Sequence, residues 1–429
     1  MRILIDGYNF GIEKGTGVAT YGRNLSQVVR SLGHEVVVCY GARWKAPKSE
    51  LLREVAFFDA AQPKSDGFSR WLGLLIEGVS ASLGCDATLI PISGSVDFGS
   101  VKARLPYFDE LWNSRDLYRR AMRSFRWVGR FARLHVPGID IAHWTYPLPV
   151  FAPGAKNIYT LHDLVPLKLP QTTLDNKKIY YRLCKALAFR ADHIVTVSET
   201  SRRDIIDILG VSPDKVTNTY QAVEFPEAAL RKTEEQLRSE LAGIFGLDWK
   251  GYFLFYGAIE PKKNIGRIIE AYLSSTVCCP LVVVGAPGWK SEDELRLLEA
   301  VKELPAAEGK PRRIVRLEYL PLPLLMTVIR GAKATIFASL YEGFGLPVLE
   351  SMVLGTAVIT SNTSSLPEVA GDAALLVNPL SVSELVLAIR AIDSDDHLRM
   401  SLESKGVIRS REFSQAKYAE RVNDLYAHI

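Results

Sequence analysis

Short apolar runs alternate with helix-forming stretches along the chain of 429 residues, and the alternation starts again at Tyr252. The runs of the first series are 35–38, 86–90, 140–143, 157–161 and 193–197. Those of the second series are 252–256, 281–284, 314–317, 335–337, 357–360 and 374–377. Runs rich in Val and Ile that are separated by helices are typical of parallel strands covered on both faces. The sequence therefore predicts an α/β protein with two doubly wound, Rossmann-like domains.

The length also fits two domains, since 429 residues exceed what one hydrophobic core usually covers. We predict a first domain at 1–225 and a second at 226–413, followed by a helix at 414–429. No apolar run approaches the ~18 residues of a membrane span. Met1 leads directly into a predicted strand, which leaves no room for a signal peptide. We therefore expect a cytoplasmic protein.

Composition argues against several other classes of protein. The formal net charge of +4 is too small to indicate a nucleic-acid partner. The five cysteines are scattered, without a C-x-x-C pair or a histidine at ligand spacing, so we predict reduced thiols. The only D-x-D sequence, at 393–395, ends a polar predicted helix. We therefore predict neither a bound metal ion nor a tightly bound cofactor.

Residues 342–350 place two carboxylates, Glu342 and Glu350, around two glycines and Pro347. The apolar run before them predicts a buried strand, the glycines allow a tight turn, and proline suits the start of a helix. Backbone N–H groups at a helix N-terminus bind anions such as a diphosphate. One carboxylate would accept hydrogen bonds from a transferred hexose and the other from a ribose. An ordinary turn with solvated glutamates is the alternative.

Residues 341–359 and 364–369 resemble the retaining glycosyltransferases of family 4, whose signature is E-x7-E. The resemblance implies the GT-B fold, in which two domains face each other across a cleft and the last helix returns to the first domain. It also implies a nucleotide-sugar donor that is held chiefly by the second domain. The donor contacts then fall on Glu342, Gly343, Phe344, Gly345, Leu346 and Glu350, and Glu342 is catalytic as well.

A second candidate element extends from Gly257 to Asn264, directly after a predicted strand. Lys262 and Lys263 open a predicted helix, where two cations can neutralise a departing diphosphate. Solvated lysines are the alternative. The element is similar to the family's G-x-x-E-P-R-K-N sequence, which implies donor contacts from both lysines and a catalytic role for Lys263. Many relatives carry Arg where this chain has Ala258, so the site lacks one cation.

Two elements of the first domain resemble donor-facing parts of the family. The sequence 14–21 is similar to its first glycine loop, which places Gly17 nearest the donor phosphates. The sequence 160–163 is similar to its H-D element, which implies that His162 is a catalytic contact to the donor sugar and that Asp163 orients it. Both follow strands and so lie at the carboxyl edge of the sheet. An ordinary loop and a structural histidine are the alternatives.

The stretch near 46–135 has no counterpart in the resemblance, and we predict a basic, helical insertion there. Six arginines from Arg115 to Arg133 fall on one side of a helix, opposite an apolar side. Such a helix can bind an anionic membrane or an acidic acceptor. We predict this role for Arg119, Arg123, Arg126 and Arg130. A core-facing helix with a solvated basic face is the alternative.

These features together predict a retaining hexosyltransferase that works without a metal ion. We expect mannose from GDP-mannose, because relatives with the same two motifs are often bacterial polysaccharide mannosyltransferases; a UDP-sugar such as UDP-glucose is the alternative. The expected acceptor is a glycan or lipid-linked glycan at the inner face of the cytoplasmic membrane. A non-hydrolysing sugar-nucleotide epimerase and a sugar-binding protein without chemistry remain as rivals.

Overall fold

The computed structural model describes residues 1–10, 17–44, 47, 49–58, 84–94, 96, 105–302 and 314–429. Two parallel sheets dominate them, one with strands up to Asn218 and one with strands from Phe253 onwards. Part of the predicted glycine loop (11–16) and much of the predicted insertion (59–83 and 97–104) lie outside the described residues. The two sheets confirm the predicted α/β class with two Rossmann-like units.

The N-terminal sheet brings three site-bearing loops to one edge. The strands before residue 219 are β1 Arg2–Asp6, β2 Glu35–Tyr40, β3 Cys85–Asp86, β4 Thr88–Ile90, β5 Glu110–Asn113, β6 Ala132–His135, β7 Ile141–Trp144, β8 Val150–Phe151, β9 Lys156–Thr160, β10 His193–Thr196 and β11 Val216–Asn218. Eight of these described strands form one sheet in the order β11-β10-β9-β7-β1-β2-β5-β4, in which β4 alone is antiparallel. β3, β6 and β8 form a small separate sheet. Because β1, β7 and β9 are parallel neighbours, the loops after them emerge side by side.

The C-terminal sheet is parallel throughout its described strands. These are β12 Phe253–Tyr256, β13 Leu281–Val284, β14 Ile314–Leu317, β15 Ala334–Phe337, β16 Ala357–Ser361 and β17 Leu375–Val377. Their order is β14-β13-β12-β15-β16-β17. They match the six predicted runs, because a strand that is covered on both faces reads as a continuous apolar run.

Helices cover both sheets. They are α1 Gly17–Ser31, α2 Glu50–Phe58, α3 Leu117–Val128, α4 Val165–Lys168, α5 Lys177–Arg190, α6 Glu199–Leu209, α7 Glu227–Leu230, α8 Glu234–Glu240, α9 Ile265–Ser274, α10 Glu292–Lys302, α11 Leu322–Gly331, α12 Leu346–Val353, α13 Leu366–Ala370, α14 Val382–Ser394, α15 Asp396–Ser410 and α16 Gln415–Ala427. Within the described residues, no helix combines the length and the apolar character that a bilayer span requires.

The last helix, α16, packs on the first domain. The Tyr426 hydroxyl lies 2.8 Å from Nδ1 of His143 in β7. The ring of Tyr418 lies 6.2 Å from that of Tyr21 in α1, between centroids. All four side chains are buried. The C-terminal helix thus contacts β7 and α1 of the first domain.

The predicted basic helix is shorter in the structure than in our prediction. α3 ends at Val128, where Gly129 adopts a left-handed conformation with φ 70°. Glycine tolerates this conformation because it has no Cβ, and it therefore stops the helix. Arg130 lies beyond the helix and Arg133 lies in β6. The described part of the stretch also supplies β5, so it is joined to the main sheet and is not a purely helical insertion.

Candidate active site

The turn between β15 and α12 has the predicted strand-turn-helix geometry. Gly345 caps α12 with φ 109°, a conformation that residues with a side chain rarely adopt. Pro347 lies in the first turn of the helix, where its missing N–H leaves no hydrogen bond unmade. Glu342 lies in the turn and Glu350 about one helical turn into α12. Both glutamates thus lie at the carboxyl edge of the second sheet.

Two serines that our sequence analysis gave no role hold this turn in place. Oγ of Ser364 accepts a hydrogen bond from the Glu342 N–H at 3.0 Å. Oγ of Ser365 donates to the carbonyls of Glu342 and Phe344, at 2.9 and 2.8 Å. Their signal in the sequence was the polar stretch 360–365 after an apolar run, which is common at any strand end.

Glu342 and Lys263 form a buried ion pair. Nζ of Lys263 lies 2.5 Å from Oε1 of Glu342, and the two side chains are only 14% and 11% exposed. Burial favours the neutral acid, but Lys263 and then Lys262 outweigh it and lower the pKa of Glu342 below its ordinary value. Glu342 is therefore ionised at neutral pH. Since a carboxylate has about four acceptor positions, it can still accept hydrogen bonds from sugar hydroxyls.

Lys262 lies among carboxylates of both domains. Burial lowers its pKa, but the charges of Glu342, Asp163 and Glu260 together raise it above its ordinary value. The carbonyl of Lys262 accepts a hydrogen bond from the Leu340 N–H at 2.8 Å, which ties its loop to the Glu342 turn. The structure thus brings the two lysines together with Glu342.

The lysines do not open a helix, in contrast to our prediction. They lie in the 3-10 turn Pro261–Lys263, and α9 begins only after Asn264. Asn264 has φ 62°, and its Nδ2 donates to the carbonyls of Ala338 and Pro379 at 2.9 and 2.7 Å. An asparagine tolerates this left-handed conformation better than most residues, so the chain breaks there and leaves both lysines in the loop.

Glu350 differs from Glu342 in its protonation. Burial raises the pKa of Glu350 to about 7, and its hydrogen bond with Tyr256 and the charge of Lys263 offset only part of that effect. The carboxyl group is therefore about half ionised near neutral pH. The structure thus places one ionised and one titrating glutamate at the same edge of the sheet.

His162 lies at the carboxyl edge of the first sheet, two residues beyond β9. Its Nε2 donates to the carbonyl of Thr145 at 2.9 Å, and the ring of Tyr21 stands edge-on at 4.8 Å. Burial lowers the pKa of His162, so the ring is neutral at neutral pH and its Nδ1 is an acceptor. Asp163 does not orient the ring as predicted, because its Oδ1 accepts from the Val165 N–H instead.

The two domains touch directly at Gly343. A Cβ on this glycine would lie 2.8 Å from the carbonyl oxygen of His162 and 2.9 Å from Oδ2 of Asp163. The Gly343 carbonyl also accepts a hydrogen bond from Oγ of Ser201 in α6, at 3.2 Å. The turn that holds Glu342 thus lies against the strand end that holds His162. The donor-facing elements that we predicted in the two domains therefore lie side by side.

A carboxylate of the second domain caps a helix of the first. Glu368 in α13 accepts hydrogen bonds from the N–H groups of Glu199 and Thr200, at 2.7 and 3.3 Å, at the N-terminus of α6. The first N–H groups of a helix have no partner inside the helix, and the positive end of the helix dipole favours a negative charge there. The same helix receives a hydrogen bond from Tyr341 to Asp204. We did not predict these roles, since nothing local marks a cross-domain partner.

Gly17 also approaches the second domain. It begins α1, and a Cβ there would lie 3.2 Å from Cδ1 of Leu346 in α12. That position agrees with a loop that faces the cleft, while its contact with donor phosphates stays a prediction. Among the described residues, no group of three or more His, Cys, Asp or Glu side chains is arranged to hold a metal ion.

Comparison with known proteins identifies the family. A family model described as Glycosyltransferase Family 4 matches residues 15–224. A second, described as Glycosyl transferases group 1, matches residues 245–407. O-antigen chain mannosyltransferase B from Escherichia coli is 31% identical over 266 residues, which cover 60% of this chain and 67% of that protein. This chain is a family 4 glycosyltransferase. WbdA, a serotype-specific mannosyltransferase from Escherichia coli, is 29% identical to this glycosyltransferase over 283 residues, but only 34% of WbdA is covered.

The fold of this glycosyltransferase is shared with solved structures. The structure of Anabaena HepE in complex with UDP-glucose has a TM-score of 0.65 at 14% identity, and the match covers 100% of both chains. At this identity the likeness concerns the fold, which is GT-B. The predicted family and fold are therefore confirmed, while the donor and the retention of configuration stay predictions.

We predict that Gly343→Ala abolishes most sugar transfer without unfolding the protein. The added Cβ meets the main-chain oxygen of His162 at 2.8 Å as well as the side chain of Asp163, and main chain cannot rotate away, so the domains must separate. A displacement of ~1 Å at a reacting centre can lower the rate ~100-fold. Gly266→Ala is the matched control, because a Cβ there makes an ordinary contact at 3.6 Å. Transfer rates and thermal unfolding curves of both variants test this, and full activity of Gly343→Ala would contradict it.

We also predict a pH dependence of donor binding that arises from Glu350. Hydroxyls of the donor bond to the ionised carboxylate, so binding must expel the proton that Glu350 carries below its pKa of about 7. The Kd for a nucleotide sugar should therefore rise about tenfold from pH 8 to pH 6. Isothermal titration at several pH values measures it. In Glu350→Gln the Kd should be higher and should not change with pH. A wild-type Kd that does not change with pH would refute the assignment.

Proposed function

We propose that this glycosyltransferase moves mannose from GDP-mannose onto a glycan acceptor in bacterial surface polysaccharide synthesis, with retention of anomeric configuration. The observation that carries the proposal is the buried Lys263–Glu342 pair beside the N-terminus of α12. It offers cations and N–H groups to a diphosphate and a carboxylate to sugar hydroxyls. Mannose is proposed because the two relatives described above are named mannosyltransferases.

In the proposed reaction, the bond between C1 of the sugar and the phosphate oxygen breaks, and the nucleoside diphosphate leaves with the electron pair. Lys262 and Lys263 stabilise the charge that develops on it. The acceptor hydroxyl attacks C1 from the same face and passes its proton to the departing phosphate oxygen. Glu342, which lies nearest the His162 strand end, holds hydroxyls of the transferred sugar, and Glu350 holds those of the ribose.

We also propose that the enzyme contacts an anionic membrane surface, where a lipid-linked acceptor would be found. Arg119 is paired with Asp116, and Arg123 is partly buried. We therefore place the membrane-facing surface nearer to the C-terminal end of α3 than in our prediction. Trp127 and Phe189 are 50% and 90% exposed. The exposed cations around them are Arg126, Arg130, Arg182 and Lys185. Phe189 also lines a cavity of about 810 Å³, and an aromatic residue beside cations suits a lipid interface.

The donor assignment is tested by offering GDP-mannose and UDP-glucose with and without glycan acceptors. We expect transfer from GDP-mannose only, an α-linked product by NMR, and a loss of ~100-fold or more in Glu342→Gln. Glu235→Gln, an exposed glutamate, should be fully active. A nucleotide at about 100 times its Kd should stabilise the fold by about 2.7 kcal/mol. Conversion of the donor without any acceptor would instead identify an epimerase.

The membrane contact is tested with liposomes. Changing Arg126, Arg130, Arg182 and Lys185 to Gln should remove attraction worth roughly 4 kcal/mol at most and abolish salt-sensitive binding to anionic liposomes, while transfer to a soluble acceptor persists. A control variant neutralises four exposed cations elsewhere, namely Arg231, Arg296, Lys405 and Lys417. Equal sedimentation of wild type and the first variant with such liposomes would reject this contact.

A further inference from the structure

Two stacked tyrosines lie at the cleft edge of the first sheet and have no role in the reaction described above. Tyr8 follows β1 and Tyr146 follows β7. These two strands are parallel neighbours, and β7 is also paired with β9. Their ring centroids are 5.5 Å apart with an interplanar angle of 23°, and Tyr118 stands edge-on to Tyr8 at 5.3 Å. Tyr8 is still 38% exposed. The pair therefore forms a fixed aromatic surface of which part faces solvent.

One buried carboxylate links this pair to His162. Asp6, which is 0% exposed, accepts hydrogen bonds from the Tyr8 N–H at 3.2 Å and from the Thr145 N–H. It therefore joins the loops that carry the two tyrosines. The carbonyl of Thr145 in turn accepts from Nε2 of His162. The tyrosines and the histidine are thus held by a single hydrogen-bonded unit at one edge of the sheet.

Polar groups on and near the two tyrosines have no partner among the described residues. In the described part of the chain, neither tyrosine hydroxyl makes a hydrogen bond, and exposed Asp175 has neither a hydrogen bond nor an ion pair. Burial is the main cause that raises the pKa of Tyr8 and of Tyr146, and the charge of Asp175 adds to it in both, after that of Asp6 for Tyr8. Asn9, next to Tyr8, is 6% exposed, and its Nδ2 has no partner among the described residues. A buried unpaired amide is costly unless a ligand or water completes it.

We propose that the Tyr8–Tyr146 pair is an acceptor subsite that binds a pyranose ring of the glycan. A pyranose presents an apolar C–H face that packs on an aromatic ring, and it is rimmed by hydroxyls that need polar partners. Asp175, Asn9 and the tyrosine hydroxyls supply such partners, whereas a lipid chain would leave them unpaired. The subsite lies on the same wall as His162, so a hydroxyl of the bound sugar can reach the reacting carbon. This inference rests on the proposed function, which makes the acceptor a glycan.

Binding of a panel of methyl glycosides and mannobiose, measured by saturation-transfer NMR, tests the subsite without turnover. We expect at least one glycoside to bind wild type at millimolar concentration and to bind Tyr8→Ala about tenfold more weakly. Tyr8→Phe keeps the ring and should bind within about threefold of wild type. Asp175→Asn changes an exposed side chain that no core contact depends on, and it should also weaken binding.

Tyr319→Ala is the matched control, since Tyr319 is a 77% exposed tyrosine of the second domain and should have no effect. Nucleotide affinity, measured in the same samples, should be equal in all variants. Glycoside binding that is absent in wild type, or that survives in both Tyr8→Ala and Asp175→Asn, would overturn the subsite even if GDP-mannose binds. Glycoside binding that depends on Tyr8 while GDP-mannose does not bind would overturn the proposed donor and leave the subsite standing.

Discussion

The close approach of Gly343 to the end of β9 is the contact on which the site depends. The missing Cβ lets the backbone of the second domain lie against the His162 carbonyl, where any side chain would collide with main-chain atoms. Glu342 precedes this glycine, so the contact carries a buried carboxylate to the strand end of the other domain. Neither domain holds the site alone. The cations and glutamates come from one sheet, and the histidine and tyrosines come from the other.

Burial and the neighbouring lysines together set the charges of Glu342 and Glu350. Removing a charge from water costs several kcal/mol, and Glu342 stays ionised because Lys263, its ion-pair partner, and Lys262 outweigh that cost. An ammonium group has three donors, of which Glu342 uses one, so Lys263 can bind a phosphate without giving up its partner. Glu350 has no cation at bonding distance within the described structure, and burial therefore keeps it close to its titration point. Two glutamates of the same motif thus differ in charge for a reason that lies in their surroundings.

The first domain contributes a rigid wall. Asp6 accepts backbone hydrogen bonds from two adjacent loops, and burial raises its pKa to about 6. Asp6 is therefore ionised at neutral pH, where it can accept both bonds. The hydrogen bonds from α6 to Glu368 then connect the wall to the second domain. The groups proposed to be catalytic or acceptor-facing are thus positioned by backbone hydrogen bonds to two carboxylates, Asp6 and Glu368.

The sequence by itself determined the second series of strands, most of the first and the turn at 342–350. The predicted run 86–90 is divided between β3 and the antiparallel β4, and β5, β6, β8 and β11 were not predicted. The features that it determined are local: β-branched runs fix strands, glycines permit the turn, and a proline starts the helix. It also identified the residue types of the site, including Lys263, Glu342 and His162. Where it failed locally, at the end of α3, a helical periodicity that continues past Gly129 concealed a glycine stop.

Only the tertiary structure decided which of these groups meet. Lys263 and Glu342 are 79 positions apart, and Glu368 reaches α6 across 169 positions. The first pair meets because β12 and β15 are neighbours in one sheet, and the second because the two sheets dock; no periodicity in the sequence encodes either contact. Packing also decides the charges: burial raises the pKa of both glutamates, but the lysines beside Glu342 outweigh it there, whereas Glu350 is left with a pKa of about 7. The sequence thus specifies the chemical groups, and the packing of the domains specifies their charge and their partners.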